Sequence, residues 1–293
     1  MRSDDRFQNG LISSGDSPAQ RVDELLLALF RKSGSMDRLD KAALCDIQAR
    51  GELQWELGSH DNNLSSVPKL TGTPRNQGVQ LAKFVREKIS QPDGPLVNPF
   101  NLVRCFRIPL FRVPLVSRNL SGVTLFCGEN QPVVVVNSKE DIFRQMFSVC
   151  HELCHALVDA QRAEPVASFS DDNKSDIEAR ANSFAAALLL PEISLRELWK
   201  NVGGDWPAWR AVLTDYKVNF DTFRIRLREL RLLSPEEADQ MPSELIRATQ
   251  KKDPDEVVQS ELSSEGLNLE LVQLALEGLH NDCFSWGWCA ERL

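Results

Sequence analysis

The run His151-Glu152-Leu153-Cys154-His155 places two of the chain's four histidines around one acid. It falls inside a stretch whose apolar residues, Ile142, Phe143, Met146, Phe147, Cys150 and Leu153, recur at helical spacing, so a long helix is expected from near Ser138. On a helix, the i, i+4 spacing puts both imidazoles on one face, one turn apart, where both can ligate a single zinc ion. Glu152 sits beside the first imidazole, where its carboxylate can reach an attacking water rather than the metal. The competing reading is two incidental histidines in a polar stripe. It leaves imidazoles and a carboxylate buried in an apolar helix without a reason.

Two histidines do not complete a zinc site, so a third protein ligand is needed. Glu178, in Glu178-Ala179-Arg180-Ala181-Asn182, lies far enough past His155 for a loop and the return of an antiparallel helix. Its neighbours Ala181, Phe184, Ala185 and Ala186 are small or apolar, and it is read as the third ligand. Asp176 fits better the part of a solvated acid favoured by the start of a helix. Asn182, one turn on, is placed to hydrogen-bond a ligating imidazole from behind.

The elements around these residues are of mixed type. Residues 1–20 read as a flexible tail and 21–67 as a helical N-terminal region, including runs from Val22 and over Leu39–Leu53. The Asn/Ser/Pro/Gly-rich stretch His60–Asn76 marks its boundary. A metal-binding domain is expected over 70–200. It comprises a helix over Leu81–Ile89, a short one after Asn98-Pro99, strands at Ile108–Val116, Gly122–Cys127 and Pro132–Val136, then the two metal-bearing helices. The second of these, Asp176–Leu190, is stopped by Pro191. Residues 205–245 have helix-turn-helix rhythm (Trp209–Tyr216, a turn, Asp221–Leu230). An acidic connector over 246–266 and a helical hairpin over 267–293 follow, the latter carrying Trp286 and Trp288. The fold class is α+β.

Composition narrows the setting. The chain has 293 residues, a formal charge of −8 and 42% hydrophobic residues, enough for a real core and unlike a basic nucleic-acid coat. No apolar run approaches a membrane span, and the first twenty residues show no secretory apolar segment. A cytoplasmic protein without membrane contact is expected. Seven cysteines at irregular spacing read as free thiols.

With these motifs together, the sequence resembles the ImmA/IrrE-type metallopeptidases. The resemblance rests on Val133–Asn137, Phe147–Leu157 and Glu178–Pro191, and extends roughly from Gly78 to Leu233. It implies a gluzincin-like core, a small sheet plus the HExxH helix, with a helix-turn-helix-like C-terminal part. It also implies Zn2+ on His151, His155 and Glu178, Glu152 as general base, and a bacterial cytoplasmic setting. The implied activity is cleavage of a partner helix-turn-helix repressor, inducing a stress or anti-phage response, with single-stranded DNA as a possible activator. Cys154 stands where the family usually has a small residue and is read as a core thiol. Related zincins often stabilise the oxyanion with His or Tyr. Tyr216, the only tyrosine, is the first choice here, with His280 and His60 behind it; each also fits a packing or surface role.

Some relatives hold the metal latent with a cysteine, and Cys105 is best placed for that here, against its reading as a small buried hydrophobe. Arg224, Arg226, Arg228 and Arg231, near Trp206 and Trp209, suit single-stranded DNA, but the blander and preferred reading is a solvated helix docked on the core. The alternative function is a non-proteolytic DNA- or effector-sensing regulator with a structural or silent zinc site.

Overall fold

Pro109 and Pro114 bracket the first strand, and proline cannot donate to a ladder, so β1 is only Leu110–Val113. The computed structural model describes residues 37–57, 67–96, 98–117, 120–127, 131–159, 166–169, 175–242 and 245. The expected tail, the helix from Val22, the acidic connector, the C-terminal hairpin, His60 and His280 lie outside the described residues.

Strands β2 (Leu120–Phe126) and β3 (Pro132–Asn137) are buried along their whole length. That suits the unbroken Val133–Val136 run, which has no polar face to offer water. A fourth strand, β4 (Val166–Phe169), was not expected from the sequence. The sheet order is β1-β3-β2-β4, with β1 parallel to β3 and the other pairs antiparallel. β2 is therefore an interior strand, hydrogen-bonded on both edges.

Helix α1 (Arg38–Leu57) contributes Leu44 and Ile47 to the same core as the sheet. Its Asp40 carboxylate accepts hydrogen bonds from the backbone N–H groups of Val116 and Ser117 at 2.6 and 2.7 Å. Helix α2 (Pro74–Lys88) starts a full two turns before the expected Leu81, because Thr73 caps it and Pro74 opens it. Its early turns are polar, which hides them from a periodicity argument. Helix α3 (Pro99–Cys105) precedes β1.

Helix α4 (Ile142–Val158) begins at its cap, Asp141, whose side chain accepts from the Arg144 N–H. It packs on β2 and β3 and against α5 (Asp176–Leu189), and is buried on nearly every side. Helix α5 starts at Ser175, whose hydroxyl accepts from the Glu178 N–H. It lies closest to α2, where a Cβ on Gly78 would collide with the Arg180 carbonyl oxygen and sit 2.7 Å from the Phe184 nitrogen. Glycine is required there for helix-to-helix approach.

Two buried arginines hold the C-terminal end of α5. Arg86 donates through Nε to the Leu188 carbonyl at 2.7 Å, and Arg226 donates to that of Leu190 at 3.2 Å. Both satisfy carbonyls that a helix end leaves without partners and place cations at the negative end of the helix dipole. Helices α6 (Glu192–Val202), α7 (Trp206–Tyr216), α8 (Phe220–Glu229) and α9 (Pro235–Asp239) complete the described chain. α7 and α8 are joined through Lys217 in the left-handed conformation and packed around the fully buried Trp209.

Candidate metal centre

Helices α4 and α5 bring together His151, His155 and Glu178, all buried, with possible ligand atoms all within 4.8 Å of one another. The two imidazole Nε2 atoms are 3.0 Å apart. Glu178 reaches His151 Nε2 with Oε2 at 3.1 Å and His155 Nε2 with Oε1 at 3.6 Å. Three ligands at about 2.0–2.2 Å from a tetrahedral zinc would stand about 3.3–3.5 Å apart, which these separations bracket closely.

The outward ring nitrogens fix what the inward ones can do. His155 Nδ1 lies 2.9 Å from Asp159 Oδ2, and a carboxylate there accepts the Nδ1–H. His151 Nδ1 lies 3.0 Å from Asn182 Oδ1, which likewise accepts a proton. Each Nε2 is then left with its lone pair, and both lone pairs point at one spot beside a carboxylate. Without a cation, a proton on His151 Nε2, shared with Glu178 Oε2, satisfies that pair. Burial alone pulls the His151 pKa down; the hydrogen bond to Glu178 and the charges of Glu152 and Glu178 reverse this, raising it above the ordinary value. A divalent ion in place of that proton satisfies all three groups, so the residues present fit a metal.

Asp159 and Arg180 were not picked out from the sequence as site residues. Arg180 donates to both Asp159 oxygens at 2.7 Å. Burial raises the Asp159 pKa, but the His155 hydrogen bond and the Arg180 charge outweigh it and hold the carboxyl below its usual value. The available signal was spacing: Asp159 is one turn beyond His155 on the same helix, and Arg180 follows Glu178 by two.

Glu152 is fully buried, and its Oε2 accepts from the Thr124 hydroxyl at 2.7 Å. Burial raises its pKa, partly offset by the imidazoles and by Thr124. Beside the centre lies a cleft of about 390 Å³, with His151, Glu178, Asn182 and Phe147 on the α4–α5 side and Thr222 and Ile225 on α8 opposite. Arg75 and Arg144 are its cationic lining.

Other expected site residues stand elsewhere. Tyr216 is buried in the core and is not among the cleft residues. Cys105 is exposed at the end of α3 and, among the described residues, outside the metal-ligating group. Burial pushes the thiols of Cys150 and Cys154 up to about 12, as inert core cysteines. The arginine patch divides. Arg226 is 3% exposed and bonded inward, which removes it from any DNA-facing surface, while Arg224 pairs with Asp221 and Asp239 at 3.5 Å each. Arg228 and Arg231 are exposed.

No described helix is long and apolar enough to cross a membrane. A comparison with curated proteins finds no match. Residues 103–228 match the family model of peptidase M78, described as the IrrE N-terminal-like domain. That span contains β1 to β3, helices α4 and α5 and every residue of the candidate centre, and over it the chain is similar to the ImmA/IrrE-type domain of the M78 peptidase family.

Proposed function

We propose that the protein is a cytoplasmic zinc-dependent endopeptidase that cleaves a partner repressor of helix-turn-helix type. The observation carrying this reading is the pair of Nε2 lone pairs on His151 and His155, aimed together beside Glu178 with both Nδ1 atoms tied down. His151, His155 and Glu178 would hold the zinc, which when bound supplies Lewis-acid polarisation of the peptide carbonyl and acidifies the attacking water.

The chain's own groups supply the rest. Glu152, kept basic by burial, takes the proton of the attacking water on its carboxylate and returns it to the leaving amine. Asn182 and Asp159 fix the two imidazole planes. The cleft between α4–α5 and α8 gives a polypeptide segment access to the centre. The repressor substrate, the stress or anti-phage setting and activation by single-stranded DNA rest on the resemblance of the motifs.

The test is incubation of helix-turn-helix repressors with the zinc-loaded protein and with Glu152→Gln, with and without single-stranded DNA. Cleavage by wild type alone is expected, with equal zinc content in both. Cleavage surviving in Glu152→Gln would sink the mechanism. Zinc binding without cleavage in either protein would favour a structural or silent metal in a sensing regulator.

A further inference from the structure

The interior strand β2 is shaped to receive Glu152. Gly122 and Thr124 are two apart, hence on one face of the strand, and both meet the Glu152 side chain. A Cβ at position 122 would stand 2.9 Å from both Cγ and Oε1 of Glu152. No side chain larger than hydrogen fits there while the carboxylate stays in place.

At position 124 the strand offers a donor. The Thr124 hydroxyl lies 2.7 Å from Glu152 Oε2 and 3.1 Å from the Glu152 backbone carbonyl. It has one proton, and the nearer, ionisable carboxylate is the stronger acceptor. Oε1 is buried and makes no hydrogen bond within the protein. One oxygen is thus held by the sheet, while the other keeps its lone pairs for a reacting partner. Because β2 is paired with both β3 and β4, the two positions cannot drift with a loop.

We propose that Thr124 is a positioning residue for the general base: it anchors Oε2 so that Oε1 alone meets the attacking water, in space that Gly122 leaves open. The inference rests on the peptidase reading above. A hydrogen bond to a charged group at this strength predicts that Thr124→Val lowers kcat about 10- to 100-fold. KM and zinc content should stay within twofold, since the hydroxyl touches neither substrate nor ligand.

The assay uses the zinc-loaded full chain and the peptide that wild type cleaves fastest from a quenched fluorogenic mixture, with zinc content read by mass spectrometry. Thr124→Ser, which keeps the hydroxyl, should restore kcat to within a few-fold. Gly122→Ala, which leaves Thr124 intact but crowds the carboxylate, should lower kcat with zinc retained, and it decides the matter if Thr124→Val does not fold. Wild-type kcat in Thr124→Val or, failing that, in Gly122→Ala overturns the proposal alone. A kcat loss that serine does not rescue, or one accompanied by zinc loss, also overturns it by marking a merely structural role. If wild type cleaves no peptide and no repressor, the peptidase reading falls and takes this one with it.

Discussion

Replacing Asp159 by Asn separates two jobs that one carboxylate performs. It keeps the shape and an oxygen able to accept from His155 Nδ1, but removes the negative charge that would make His155 a stronger ligand in the proposed zinc site and that balances Arg180. Loss of a hydrogen-bond partner behind a ligating histidine lowers metal affinity about 10- to 100-fold. Because the amide preserves one bond, the lower end is expected, about tenfold or ~1.4 kcal/mol.

Stability falls for a different reason. Arg180, with its side chain only 14% exposed, loses its charged partner, and breaking a buried pair on one side costs about 3–5 kcal/mol. Partial access to water and the remaining amide reduce this to roughly 2 kcal/mol. The Asp159 pKa is lowered by folding, so its stabilisation is present above the unfolded value near 4 and is lost as pH falls through the folded one. The gap between wild type and variant should therefore close below about pH 4.

Urea unfolding of the metal-free proteins and competition with a zinc-chelating dye give the two numbers. The double variant Asp159→Asn with Arg180→Met removes the stranded cation. It should recover most of the stability but none of the zinc affinity. Recovery of both would show that Asp159 acts on the metal through the fold rather than through His155, and unchanged affinity in the single variant would refute its role altogether.

Metal-free and zinc-loaded protein should respond oppositely to pH between 8 and 6. The raised pKa of His151 makes its stabilising proton fully present below the unfolded value near 6.5 and lost as pH rises through the folded one, so metal-free protein gains stability on acidification. The same proton competes with the ion, so zinc affinity falls; parallel trends in calorimetric melting would contradict the shared-proton account. Gly78→Ala should destabilise by about 3 kcal/mol and weaken zinc binding, because α5 must shift and carries Glu178; urea unfolding and the dye assay read both. If single-stranded DNA binds the arginine helix, Arg228→Ala with Arg231→Ala should weaken it, whereas Arg226→Met should lower the melting temperature instead, as seen by fluorescence anisotropy and thermal scans.

What the sequence disclosed follows from how local each signal is. His151, Glu152 and His155 share one helical turn, so their spacing alone carries geometry; Glu178 and Asn182 repeat that logic one helix later. The valine run of β3 was legible, the expectation of Ile108–Val116 for the first strand was too long because it passed over Pro109 and Pro114 as its ends, and four-residue β4 offered no period long enough to read. Thr124 and Gly122 were invisible for the opposite reason. Nothing local to β2 demands a hydroxyl or a missing side chain; that demand comes from a carboxylate on a helix later in the chain, pressed against the strand by the fold. The arginines of α8 misled by composition: a basic helix reads as a surface, yet Arg226 is drawn inward by a carbonyl that α5 leaves unsatisfied. Arg86, on α2, meets that helix end in the same way. The same helix end explains why α8 can wall the cleft. Arg226 bonds it to α5, which leaves Thr222 and Ile225 lining the space opposite Glu178. A segment read from the sequence as a separate helix-turn-helix-like subdomain thereby forms one wall of the cleft beside His151 and Glu178.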